Sequence, residues 1–151
     1  MEDKIQSYFD LNVWKKSHQI VLEIYRLTDS FPEKERTTLV DQLKRASSNA
    51  VICISDGFQK RNRQEKSRLY IESQNYLNEL YYLSLLSKDL GYIADDTLSE
   101  NINEVQRMLS GLIRSVLGTQ KHSGGGYNKR EQEPNVDGFI ANSSIDDVDM
   151  L

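Results

Sequence analysis

The sequence predicts an all-α protein: an antiparallel up-down-up-down four-helix bundle over residues 1–122, followed by a disordered C-terminal tail over 123–151. Three observations lead there. Two prolines and eight glycines leave long stretches free of helix breakers. Four of those stretches repeat apolar residues at alternating spacings of four and three, the period of one helix face. At Ser123 the run SGGG ends that pattern, and nothing after it keeps a helical or strand period.

The first helix is expected over 11–30. Asp10 stands where an N-cap belongs. Val13, Ser17, Ile20, Ile24 and Leu27 form one stripe, and Trp14, His18, Val21 and Tyr25 a second beside it. The second helix is expected over 33–56. Pro32 with Glu33 and Glu35 suits a helix start, and Gly57 suits a stop. Its stripe is Leu39, Leu43, Ala46, Ala50 and Cys53, widened by Val40, Val51 and Ile54. The small residues Ala46, Ser47, Ser48 and Ala50 would let a neighbouring helix come close.

The third helix is expected over 63–90 with Gly91 as its stop. Leu69, Ser73, Tyr76, Leu80, Leu83, Ser87 and Leu90 form its main stripe. Tyr70, Leu77, Tyr81 and Leu85 form a second, read as an oligomer interface because aromatics and leucines share one face; the alternative is that Tyr70, Tyr81 and Tyr82 stack on bases. The fourth, over 96–117, follows Asp95 and Asp96 and carries the heptad Leu98, Ile102, Val105, Leu109, Leu112 and Val116. Connections of about 2–6 residues fit antiparallel neighbours.

Composition narrows the function. The net charge is −4, yet residues 1–122 hold 17 basic and 17 acidic residues, so the tail carries all the excess acid. A neutral body argues against strong nonspecific binding to polyanions. The single cysteine excludes an internal disulfide framework and fits a reducing compartment. The first ten residues lack the regions of a signal peptide, and no apolar run reaches the length of a membrane span. The expectation is a cytoplasmic protein without a membrane anchor.

One cluster of side chains stands out. Lys60, Arg61, Arg63, Lys66 and Arg68 fall within nine residues against one acid, Glu65, with Lys44 and Arg45 upstream. Positive charge in the first turns of the third helix opposes its macrodipole, so the stability of that helix does not explain it, although Lys60 and Arg61 could instead stabilise the C-terminus of the second. Phosphate binding does; the plainer alternative is a solvated charged face. No catalytic constellation or cofactor site assembles. His18 and His122 are the only histidines, Cys53 falls on an apolar face, and no metal-ligand spacing occurs. Asp56 and Glu79 could be imagined as paired carboxylates, but an acid at a helix end is the simpler explanation. The tail's end, Ile145 to Leu151, alternates acids with apolar residues, a pattern that can dock on a partner; the plainer alternative is an inert solvated tail.

The segments Leu11–Lys16 (LNVWKK), Phe31-Pro32-Glu33, Gln42–Ala46 (QLKRA), Ile54–Gly57 (ISDG) and Glu79-Leu80 with Leu90–Ile93 (LGYI) stand in an order and spacing that resemble a known family. It is that of the four-helix-bundle proteins encoded in intervening sequences of bacterial 23S ribosomal RNA genes, and the resemblance covers about residues 8–118. It implies a homopentamer. A related family, the accessory variability determinants of diversity-generating retroelements, is also pentameric and binds nucleic acid and a reverse transcriptase. The resemblance therefore implies RNA or a nucleic-acid enzyme as partner. The expected function is non-enzymatic: an oligomer that binds RNA or assists such an enzyme. The alternative is a protein–protein scaffold recruiting through its outer helix faces or its tail.

Overall fold

The computed structural model describes residues 4–118. Four helices form there: α1 Asn12–Thr28, α2 Leu39–Gln59, α3 Arg63–Asp89 and α4 Thr97–Gly118. Among the described residues there is no strand. Cross-helix bonds fix the up-down-up-down order. Trp14 Nε1 donates to Ser55 Oγ at 3.0 Å, so the start of α1 lies beside the end of α2. Gln74 Nε2 donates to Ser110 Oγ and Gln106 Nε2 to Asn78 Oδ1, which sets α3 against α4 in opposite directions. Tyr92, after α3, donates to Glu35, before α2, so those two connections share one end. The proposed tail, with its boundary at Ser123, lies outside the described residues.

The main predicted stripes supply most of the core, but Leu90 of the third and Tyr25 of the first helix's second stripe are exposed. Val13, Ser17, Ile20 and Ile24 of α1 are buried, as are Leu39, Leu43, Ala46, Ala50, Cys53 and Ile54 of α2. On α4, Leu98, Ile102, Val105 and Leu109 are buried, and then the register moves: Ile113 is buried while Leu112 and Val116 are only partly so. A straight helix has 3.6 residues per turn, so a strict 3.5-residue repeat drifts off the core within a few turns.

Three end signals behave differently from expectation. Pro32 and its acids do start a helical turn, but it is a 3-10 turn of three residues, Glu33–Glu35, and α2 begins at Leu39 after a non-helical Thr38. Asp10 does not cap α1. Its carboxylate closes the preceding turn by accepting from the Gln6 and Ser7 N–H groups, and those bonds hold its pKa below the usual value. Gly57 does not stop α2, which runs on to Gln59. Among the described residues only Gly91 takes a left-handed φ, +80°, and there α3 ends with Gly91 and Tyr92 N–H groups returned to the carbonyls of Lys88 and Ser87.

Gly57 is required for another reason. A Cβ built there would stand 2.7 Å from Cε1 and 2.8 Å from Cδ1 of Tyr70. The tyrosine ring occupies the space that a side chain would need. Farther along the same pair of helices Ser73 Oγ donates to the Ala50 carbonyl at 2.8 Å. A two-atom side chain reaching the neighbouring main chain means the α2 and α3 backbones are close, as the small residues of α2 allow.

Candidate nucleic-acid interface

The chain between α2 and α3 is three residues long, Lys60 to Asn62. Lys60 is extended and leaves α2. Asn62 caps α3, its Oδ1 accepting from the N–H groups of Gln64 at 2.8 Å and Glu65 at 3.1 Å. That cap fixes the turn and points its neighbours outward. Lys60, Arg61 and Arg63 are exposed, and no salt bridge engages them among the described residues.

The other members of the basic set are placed differently. Lys66 turns back: its Nζ donates to the carbonyls of Gly57 at 3.0 Å and Phe58 at 2.8 Å. It thereby binds the last carbonyls of α2, where a cation suits the helix dipole. Burial pushes its pKa below the usual lysine value. Lys66 is a strut of the hairpin and not a free phosphate ligand. Arg68 is exposed but stands 3.6 Å from Glu72. Lys44 lies over the Tyr25 ring at 4.4 Å, and Arg45 pairs with Asp41 one turn earlier. Both sit on α2 about 22 Å along the axis from its end, so the fold separates them from the turn. Proximity in sequence grouped seven cations; helix direction leaves three together and unpaired.

The expected oligomer interface changes too. Tyr70 and Leu77 are each 1% exposed within the single chain, so neither has surface to offer a second subunit. Helix α3 is flanked by α2 on one side and α4 on the other, and its second stripe closes the bundle. Tyr81 and Leu85 keep part of their surface. The exposed large apolar residues include Leu22 and Tyr25 on α1, Ile52 on α2, and Ile71 and Tyr82 on α3.

The remaining chemistry is quiet. Burial first, then the charges of Glu72 and Asp56, push the Cys53 thiol up to about 11, which keeps it protonated and unreactive at neutral pH. Trp14 stacks on His18 with centroids 5.3 Å apart and packs beside Tyr8 and Phe9. Among the described residues no three of His, Cys, Asp or Glu are placed to hold a metal ion, and no helix is long and apolar enough to cross a membrane.

The sequence reading passed over a polar seam between α3 and α4. Gln106 Nε2 bonds Asn78 Oδ1 at 2.8 Å and the Gln74 carbonyl at 3.3 Å, and Gln74 bonds Ser110. The available signal was a pair of amides one turn apart, Gln74 and Asn78, followed on α4 by Gln106 and Ser110 at the same spacing.

No curated protein sequence matches the chain. Residues 9–111 match the family model described as 23S rRNA-intervening sequence protein. That span is more than half of the 151 residues and takes in α1, α2 and α3 whole and α4 as far as Gly111, so the bundle just described is what the match covers. The chain belongs to the 23S rRNA-intervening sequence protein family.

Proposed function

We propose that this protein is a non-enzymatic, oligomeric RNA-binding bundle of the cytoplasm, acting alone or beside a nucleic-acid enzyme such as a reverse transcriptase. The observation that carries the reading is the α2–α3 turn, where Lys60, Arg61 and Arg63 are exposed and unpaired among the described residues. Arg63, in the first turn of α3, gains nothing from that helix's dipole; Lys60 and Arg61 follow the C-terminal end of α2, which suits a cation, yet form no salt bridge among the described residues, and phosphates give all three a partner. In a ring of subunits, the pentamer being favoured by the family resemblance, the turn repeats around one rim, and modest affinity per subunit becomes avidity.

The test is a fluorescence-anisotropy titration with single-stranded RNA at two salt concentrations. Lys60→Glu, Arg61→Glu and Arg63→Glu together should weaken binding at least tenfold. They should also flatten the plot of log affinity against log salt by about 2, given roughly 0.7 per phosphate contact on a single strand. Equal affinity for parent and triple variant at the same salt would remove the reading.

The second reading, a protein scaffold, is favoured by a different observation: Leu22, Tyr25 and Ile52 expose about half of their area, at 49%, 48% and 53%, on the two helices away from the α3–α4 pair. The same residues, with the exposed parts of Tyr81 and Leu85, belong to the apolar surface that self-assembly would use. Leu22→Glu with Ile52→Glu should reduce the mass seen by light scattering while leaving helicity unchanged; an unchanged mass would exclude this face from the contact.

A further inference from the structure

We propose that the outer seam between α3 and α4 is a strip that reads unpaired RNA bases, with Gln74, Asn78 and Tyr82 on α3 and Gln106, Arg107 and Arg114 on α4 as its contacts. This rests on the RNA reading above and adds where the bases go. The turn supplies charge, and no aromatic ring stands among Lys60, Arg61, Asn62 and Arg63. The seam supplies one, that of Tyr82.

The amides are held in place by each other. Gln106 spends its nitrogen on Asn78 Oδ1 and the Gln74 carbonyl, and Gln74 spends its nitrogen on Ser110 Oγ. What remains is a side-chain acceptor on Gln74, a donor on Asn78 and an acceptor on Gln106, already oriented by the bonds beneath. A row holding both donors and acceptors matches the exposed edges of bases, which carry both. Tyr82 follows Asn78 by four residues, so it stands one turn along the same side, and it is 62% exposed. A ring that open, beside oriented amides, is a stacking platform for a base.

The charges agree. Arg107 and Arg114 are exposed, seven residues apart on one side of α4, and neither forms a salt bridge among the described residues. Arg114 lies one turn beyond Ser110, the residue that bonds Gln74, so both guanidinium groups flank the seam. Of the acids on α3, Glu72 already faces Arg68, and Glu79 lies seven residues on in that same neighbouring row. The seam climbs α3 from the turn that bears Lys60, Arg61 and Arg63, so one strand can follow both. An A-form duplex keeps its Watson–Crick edges paired and its base faces stacked, which leaves nothing for Tyr82 to stack on, so the strip selects single strands.

The experiment titrates the full chain with fluorescent single-stranded RNAs of several sequences and with a duplex of equal length. The parent should favour single strands. Tyr82→Ala should lose about fivefold or more on single strands and nothing on the duplex. Asn78→Ala with Gln106→Ala should narrow the spread of affinities among sequences. Arg107→Gln with Arg114→Gln should lower the salt slope by about 1.4, for two phosphate contacts at roughly 0.7 each. Circular dichroism should match the parent for all three. Seam variants that bind every single strand as the parent does, while the Lys60, Arg61 and Arg63 variant still loses affinity, would overturn the strip and leave the turn standing. Equal parental affinity for duplex and single strand would overturn it as well. Lowered oligomer mass with unchanged RNA affinity would make the seam a subunit contact and also overturn it. A parent that binds no RNA overturns both readings together.

Discussion

Helix α3 has two neighbours and meets them in opposite ways. Against α2 it is dry and close: Gly57 gives up its side-chain space to the Tyr70 ring, and Ser73 bonds the Ala50 carbonyl. Against α4 its outer edge is polar, joined by amide side chains that leave hydrogen-bonding atoms at the surface. One side spends all its chemistry on holding the bundle. The other holds it loosely and keeps chemistry to spare. Substitutions on the α2 side should therefore cost stability, and substitutions on the outer α4 side should cost binding.

The largest effect belongs to the core that both sides share. Leu109 of α4 is fully buried, and Leu109→Ala should cost roughly 2–5 kcal/mol in a denaturant titration. Val105→Ala should cost less, because less volume is lost. An unchanged midpoint for Leu109→Ala would mean that α4 does not face the core.

Two glycines sharpen the comparison. Gly57 and Gly111 both lie inside helices without positive φ, where alanine ordinarily gains about 1 kcal/mol. Gly111→Ala meets no atom within 4 Å and should gain it. Gly57→Ala drives a methyl into the Tyr70 ring and should instead cost about 1–3 kcal/mol. Midpoints moving in the same direction for both would break the account of the α2–α3 contact. The ring has a pH signature as well. Burial pushes the Tyr70 hydroxyl up to about 12, so the neutral form is favoured in the fold. Its contribution is intact below the ordinary value near 10 and is lost as pH rises toward 12. Tyr70→Phe should remove that part of the alkaline slope; an unchanged slope would place the ring elsewhere.

Much of this was legible in the sequence, and the misses share one cause. The 4-3 stripes of α1, α2 and α4 need only one helix's own periodicity, and they are the observed core. Gly91 works as a stop within its own turn, and it stops α3. Gly57 carries the same letter, yet its role depends on Tyr70, thirteen residues on in another helix. Tyr70 and Leu77 look like a surface stripe until α3 is seen between two neighbours. Lys66 lies in a basic run, but the α2 carbonyls that it bonds come to it only through the hairpin. Lys44 and Arg45 precede the run and sit well down the other helix. Periodicity reports what a helix buries, and it takes the partner helix to say against what.

The smaller effects separate the two sides at single hydrogen bonds. Ser73→Ala should cost about 1 kcal/mol, since it deletes a buried bond to the main chain. Gln106→Ala, on a partly exposed side chain, should stay within about 0.5 kcal/mol. Equal costs would erase the distinction between dry and polar contacts.

The most direct test of RNA at the turn and seam is ultraviolet cross-linking of the full-length protein to single-stranded RNA, with the linked peptides identified by mass spectrometry. Cross-links should fall on peptides carrying Lys60 to Arg63 and on the one carrying Tyr82. Cross-links confined to the Trp14, Tyr25 and Ile52 side of the bundle, or none above a heat-denatured control, would contradict it.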